Sequence, residues 1–291
     1  MGNKDTSFPK IRSIRAGEKL FDFSKPKIMG ILNLTADSFY DGGKYRNEEQ
    51  WVSQTHKMLE EGADIVDMGA VSTRPGARPV NEEQELERLL PPLKRLVREF
   101  PEAVFSIDTY HAKVARQCVE AGARMINDIS GGSFDRNMFP TIADLKIPYV
   151  LMHIHGTPQN MQQHPVSENI VPMVHAFFAE RVLALRTLGV EDIILDPGFG
   201  FGKTLESNYE LLQNMATTRI DNLPLLAGVS RKSMINKVLN IQPSEAINGT
   251  TVVNTLALLS GANLLRVHDV KEAREAIDIV RYYHNFGLFP K

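Results

Sequence analysis

Eight short apolar runs, each followed by a longer amphipathic stretch, set the strongest limit on how this chain can fold. The runs occupy residues 27–34, 65–68, 104–107, 124–126, 149–152, 193–195, 225–229 and 264–267. The stretches between them carry helical patterns at 48–61, 82–100, 113–120, 136–145, 171–188, from about 208, 232–239, 250–259 and 271–286. Pro91 and Pro92 are expected to interrupt the second of these. Eight β-then-α units are the signature of a closed parallel barrel, so the pattern predicts an α/β fold of the (β/α)8 TIM-barrel type. An open, doubly wound sheet is the competing arrangement. The sequence shows no linker, low-complexity tract or short-period repeat. One barrel domain over 27–291 is therefore expected, with residues 1–26 as an N-terminal extension capping the bottom of the barrel.

The second constraint is where the polar residues fall. The runs end, in order, at Asn33, Ser72-Thr73-Arg74, Asp108, Asn127-Asp128, His153, Asp196, Ser230-Arg231-Lys232 and Arg266-Val267-His268. In a (β/α)8 barrel these ends converge on the one face where active sites are built. Each acid alone could serve as a helix N-cap, but eight polar ends at once argue for a ligand. Asp108, Asp196 and Asn127 offer acceptors to a ring rich in N–H groups. Lys232 can donate to a ring carbonyl, and Arg266 can stack on an aromatic plane or, with His268, face an anion. Asn33 and residues 35–38 supply oxygen ligands suited to Mg²⁺, a hard ion commonly bound partly through substrate phosphates. The inventory points to a flat, nitrogen-rich heterocycle joined to a phosphate group.

Seven motifs, in order from Met29 to Val270, resemble those of the dihydropteroate synthase family. They are Met29-Gly30-Ile31-Leu32-Asn33-Leu34-Thr35-Ala36-Asp37-Ser38-Phe39 with Asp41-Gly42-Gly43, Ser72-Thr73-Arg74-Pro75-Gly76-Ala77, and Ser106-Ile107-Asp108-Thr109. Next come Ile126-Asn127-Asp128-Ile129-Ser130-Gly131-Gly132 and Asp196-Pro197-Gly198-Phe199-Gly200-Phe201-Gly202-Lys203. The last are Gly228-Val229-Ser230-Arg231-Lys232-Ser233 and Arg266-Val267-His268-Asp269-Val270. The resemblance implies a transferase of folate biosynthesis that joins a pterin diphosphate to p-aminobenzoate. It further implies that Asp108, Asn127, Asp196 and Lys232 hold the pterin ring, with Met152 and Phe201 lining its pocket. Arg266 and His268 would reach the diphosphate, Asn33 would help hold Mg²⁺, and Thr73 would lie on the pterin diphosphate. Asp37, Phe39, Arg74, Pro75 and Ser233 would close over and build the p-aminobenzoate pocket. Catalysis would fall to Asp37, Arg74, Asp108, Lys232, Arg266 and His268. A cytoplasmic homodimer, of a family targeted by sulfonamides, is also implied. The chain departs from the family in three places: Ala36 stands in place of proline, Met68-Gly69-Ala70-Val71 in place of a Gly-Gly-Glu run, and Tyr110-His111-Ala112, which also differs, reads as surface. A methyltransferase acting on a methylated folate, or a pterin-binding paralogue without turnover, are the alternatives. Neither explains why the 72–77 and 230–233 motifs, with Arg74, Lys232, Arg266 and His268, are all retained.

Other features are read more plainly. Lys and Arg number 33 against 35 acids, a net charge of −2, which argues against a nucleic-acid partner. No apolar run reaches membrane-spanning length, and the first fifteen residues hold no apolar segment of a secretory signal. Gly202-Lys203-Thr204 looks like the end of a phosphate-binding loop, but Pro197 occupies the position where that motif needs glycine. His153-Ile154-His155 could be a Zn²⁺ pair, but a polar pair at the barrel mouth is the better account. Cys118 reads as a small core residue, Met173–Phe178 as a buried helix face, and Glu82–Arg88 as a solvated one.

Overall fold

A computed structural model of the chain describes residues 13–34, 44–71 and 80–285. It opens with a hairpin, β1 (Ile14–Ala16) and β2 (Lys19–Phe21), paired antiparallel. From Lys27 onward strand and helix alternate: β3 (Lys27–Asn33), α1 (Lys44–Glu60), β4 (Ile65–Gly69), α2 (Glu82–Glu99), β5 (Phe105–Asp108), α3 (Ala112–Glu120), β6 (Met125–Asp128), α4 (Met138–Leu145) and β7 (Tyr149–Met152). There follow α5 (Ile170–Thr187), β8 (Ile193–Asp196), α6 (Leu205–Gln213), β9 (Leu226–Ala227), α7 (Ser233–Leu239), α8 (Ile247–Leu259), β10 (Leu264–Val267) and α9 (Val270–Asn285). The eight strands after the hairpin lie in the order β8-β7-β6-β5-β4-β3-β10-β9. Neighbours along this order are parallel. The two ends meet through a parallel bridge between Leu195 and Leu225, where Leu195 N–H donates to Pro224 O at 2.9 Å. That bridge makes the sheet a ring and rules out the open-sheet alternative.

Alternation along the strands separates two cores and a site. Side chains such as Ile28, Val66, Phe105, Ile126, Leu151, Leu195 and Leu265 point outward and pack with the helices. Their neighbours Met29, Ile65, Val104, Met125, Val150, Ile194, Leu226 and Leu264 point inward and form a second cluster with Ile14, Ala16, Phe21 and Phe23 of the hairpin segment. The hairpin thus packs against the ends where the barrel strands begin. Because side chains alternate with a period of two, the next inward positions toward the strand ends are Ile31, Asp67, Ser106, Asn127, Met152, Asp196, Gly228 and Arg266. The interior changes from apolar to polar within one layer, and the polar layer faces the end of the barrel opposite the hairpin.

Several expectations are corrected by the structure. Helix α2 runs unbroken through Pro91 and Pro92. Leu86, Leu89, Leu93 and Leu96 line one buried face across both prolines, and that packing holds the helix where two N–H bonds are missing. The 82–88 stretch is not wholly solvated: Glu85 is buried and lies 2.8 Å from His111 Nδ1. His111 is accordingly no neutral surface position, and the bond to Glu85, against the cost of burial, raises its pKa. Helix α6 begins at Leu205, capped by Thr204, whose side chain accepts from Ser207 N–H. The preceding glycine run hid that start. Strand β9 is only two residues long. On α5, Phe178 is buried but Met173 is exposed.

Candidate active site

The polar layer is organised around Arg266 on β10. Its Nε donates to Asp67 Oδ2 at 2.7 Å and its Nη2 to Asp108 Oδ2 at 2.7 Å. Asn127 Nδ2 donates to the same Asp67 oxygen at 2.9 Å. Burial works against the charge on Arg266, but the two carboxylates outweigh it and hold the pKa above the ordinary value. Asp108 is pushed up to about 7: burial dominates, Arg266 opposes it, and Asp67, Glu85 and Asp128 add to it. Asp67 was missed in the sequence, where it sits inside an apolar run. An acid at an inward position of such a run was the available signal.

Lys232 and Asp196 form the opposite wall. Lys232 Nζ donates to Phe199 O at 2.6 Å and lies 4.7 Å from the centre of the Phe201 ring, within cation–π range. Burial holds Lys232 down to about 8, with Asp196 pulling its pKa up and Arg266 pulling it down. Asp196 accepts from Gly198 N–H at 2.7 Å. Burial raises its pKa, while Lys232 and the Gly198 bond lower it. Met152 is buried beside them at the end of β7, backbone-paired with Asp196 across the β7–β8 ladder. The mouth of the barrel therefore carries three acids, an amide, two cations and a thioether.

His268 follows at the rim. Its backbone N–H donates to Ser230 Oγ at 3.2 Å, and its Nδ1 lies 3.0 Å from the same hydroxyl. Burial and the Arg266 guanidinium hold it down to about 4, and so neutral. Asp269 does not pair with Arg266. Instead Arg231, at φ +55°, takes it through Nε and Nη2 at 2.9 and 2.7 Å. Arg231 also reaches the carbonyls of Pro243 and Ser244, tying the segments after β9 and β10 together.

The remaining candidates are placed as follows. Asn33 ends β3 with its side chain exposed, and Ser233 begins α7, also exposed. Asp37, Phe39, Thr73, Arg74 and Pro75 lie outside the described residues, as does Ala36. Asp128 has a structural role but caps no helix: it accepts from Ser130 and Gly132 N–H in the turn after β6 and from Tyr149 Oη, while α4 begins only at Met138. His153 is buried and held down to about 2 by burial and then by Lys203, a neutral ring edge-on to Phe177. Among the described residues no three His, Cys, Asp or Glu side chains are grouped to hold a metal. Cys118 is buried, and burial pushes its thiol up to about 12. It is a core residue.

This barrel mouth has known counterparts. A family model described as pterin binding enzyme matches residues 29–268. The chain is 42% identical over 261 residues to the dihydropteroate synthase of Escherichia coli K12, covering 89% of this chain and 92% of that protein. A crystal structure of Yersinia pestis dihydropteroate synthase with a sulfonamide drug complex superposes with a TM-score of 0.88 at 38% identity, covering 94% of this chain and 100% of that one. Dihydropteroate synthase from Xanthomonas albilineans in complex with 7,8-dihydropteroate does so with a TM-score of 0.84 at 34% identity, over 94% and 99%. The fold and site define a pterin-binding enzyme barrel. Within that class, the chain belongs to the dihydropteroate synthase family.

Proposed function

We infer that the chain condenses (7,8-dihydropterin-6-yl)methyl diphosphate with p-aminobenzoate, releasing diphosphate and forming 7,8-dihydropteroate. The observation that carries this reading is the convergence of Asp108, Asn127, Asp196, Lys232 and Arg266 in one barrel mouth. Asp196 and Asn127 are suited to the ring's N–H and carbonyl edge, and Lys232 to its oxygen. Met152 and Phe201 supply apolar surface for its faces. Arg266 uses Nε and Nη2 on two acids, which leaves Nη1 outside both ion pairs as the donor proposed for the anion. His268 stands beside it. Cleavage of the C–O bond to diphosphate leaves positive charge on the pterin-methyl group. The p-aminobenzoate nitrogen then attacks that carbon and loses a proton. A buried carboxylate at Asp108 offsets that charge most strongly in its ionised form, and cationic Arg266 and Lys232 offset the charge growing on the leaving group.

Magnesium fits the residues present. The exposed amide oxygen of Asn33 at the end of β3 is a hard donor, and a Mg²⁺ ion bound mainly through phosphate oxygens needs few protein ligands. When bound, the ion would neutralise charge on the diphosphate. Phe39, Arg74, Pro75 and Ser233 are proposed to receive p-aminobenzoate, Thr73 to serve the pterin diphosphate, and Asp37 to act in catalysis as its loop closes over the site. Sulfonamides, as p-aminobenzoate mimics, are expected to compete there, in keeping with the drug complex of the Yersinia pestis relative. Exposed apolar side chains on α7 and α8, including Leu239, Val252, Leu256 and Leu259, favour a homodimer. No helix among the described residues is long and apolar enough to cross a membrane, and a cytoplasmic location is proposed. The deciding assay combines purified protein, the dihydropterin diphosphate, p-aminobenzoate and Mg²⁺. Dihydropteroate and diphosphate should appear in equal amounts, and failure to form either would overturn the reading.

A further inference from the structure

The run Gly202-Lys203-Thr204 resembles a phosphate loop, yet its lysine has no donor to spare. Lys203 is buried, 4% exposed. Its Nζ donates to Gly198 O at 2.7 Å, Phe201 O at 3.1 Å and His153 O at 3.3 Å. An ammonium carries three N–H bonds, so backbone carbonyls take them all. Two of these carbonyls belong to the loop between β8 and α6, and the third closes β7. The same two segments press together elsewhere. A Cβ on Gly198 would lie 1.9 Å from His153 O, and one on Gly202 would lie 2.2 Å from His155 O. Glycines at 198, 200 and 202 have φ of +70°, +83° and +68°, the region glycine enters most readily. A second pin holds the far side of the loop: buried Asn208 accepts from Gly200 N–H at 2.6 Å and donates to Thr204 O at 2.6 Å.

What this loop presents is the seat of Lys232, namely the Phe199 carbonyl and the Phe201 ring. We propose that Lys203 is a positioning residue for the pterin subsite, an internal cation that clasps the β8–α6 loop to the end of β7 and thereby fixes Lys232. The proposal rests on the function inferred above. Burying a lysine is costly unless its charge is paired or its donors are satisfied, and here three carbonyl dipoles and the Asp196 charge offset that cost. Burial first, with Lys232 adding to it and Asp196 opposing, holds Lys203 down to about 7. The titratable groups around it are His153 and His155 from the segment ending β7, Asp196 from β8 and Lys232 from the segment after β9. Lys203 in turn lowers the Asp196 pKa.

The test is Lys203→Met, which keeps the length and removes charge and donors. Affinity for free pterin, by calorimetry, should fall roughly 10- to 100-fold, the range typical of residues that orient ligand-binding side chains. Affinity for inorganic diphosphate, which Lys232 serves together with Arg266, should fall less than that for pterin, and the KM for p-aminobenzoate should stay near wild type. The acid limb of kcat/KM for the pterin substrate should move to higher pH, because Asp196 loses a neighbouring cation. Lys203→Gln, with two N–H donors and no charge, should show a smaller loss, and it carries the same test where the methionine variant does not fold. A folded variant with wild-type pterin affinity and an unmoved pH profile overturns the proposal. An equal loss for pterin, diphosphate and p-aminobenzoate also overturns it, since that marks general loosening. Wild-type protein that binds free pterin yet forms no dihydropteroate would refute the inferred activity instead, leaving the Lys203 comparison readable.

Discussion

Asp67 and Arg266, on strands separated by β3, are joined inside the barrel by an ion pair of 2.7 Å. The same Asp67 oxygen also accepts from Asn127. A carboxylate only accepts hydrogen bonds, so the nitrogen end of the Asn127 amide must face Asp67 and its oxygen must face away. One buried acid therefore sets the orientation of two proposed ligand-binding side chains, reaching from β10 to β6.

Asp67→Asn is expected to be costly in two ways. Arg266 would keep Asp108 but lose a buried partner, and breaking such a pair costs about 3 kcal/mol or more. The pKa of Asp108 should fall from about 7, since the Asp67 charge helps to raise it. An ionisation seen near neutrality in the pH profile would then shift toward acid. Denaturation and pH–rate curves on the same preparation check both. Unchanged stability with an unchanged profile would count against any role for Asp67 beyond filling space.

Residues at strand ends or in the segments just after them were legible in the sequence, because their polar groups gather where the strands finish. Asp108, Asn127, Asp196, Lys232, Arg266 and His268 all belong to this group. Asp67 was not legible: it sits inside an apolar run, between Val66 and Met68, and only the curvature of the barrel brings Arg266 and Asn127 to it. The Glu85–His111 pair escaped for a related reason. Its members lie on different helical segments, and the local charge pattern of 82–88 suggests water on that face. Lys203 misled in the opposite direction, since a motif shows donors without showing who receives them.

Asp196→Asn should preserve the fold, because the amide oxygen can still accept from Gly198 N–H. Ring recognition should suffer. Two charge-assisted bonds at roughly 1.5–3 kcal/mol each correspond to at least a hundredfold loss of pterin affinity on the order of 1.4 kcal/mol per decade. Calorimetry with free pterin measures it directly. Near-normal binding would mean the carboxylate does not face the ring.

At the other end of the barrel, Phe23 is 1% exposed within the inward cluster that also holds Met29, Val104 and Ile194. Phe23→Ala should destabilise the protein by about 3–5 kcal/mol, the range for truncating a buried phenylalanine. The KM for the pterin substrate should not change, since the polar layer lies at the opposite end of the strands. A loss below about 1 kcal/mol in thermal denaturation would show that the N-terminal segment is dispensable for closing the barrel floor.

His268 provides a test in which protons are counted. In the free protein burial and Arg266 hold its imidazole down to about 4. Near pH 6 the ring is therefore neutral, and its Nδ1 sits against Ser230 Oγ. A diphosphate bound beside it would favour the charged form and raise its pKa. Between the free and bound values, binding must take up a proton, and the uptake should vanish well above the bound value. Calorimetry of diphosphate binding at pH 6 in buffers of different ionisation enthalpy gives the number of protons taken up. His268→Ala should abolish that uptake and weaken diphosphate binding by roughly 1.5–3 kcal/mol, the worth of one charge-assisted bond, while free pterin still binds. If the side chain served only the start of α9, the variant would instead lose about 1 kcal/mol of stability. Diphosphate affinity and proton uptake would then match the wild type.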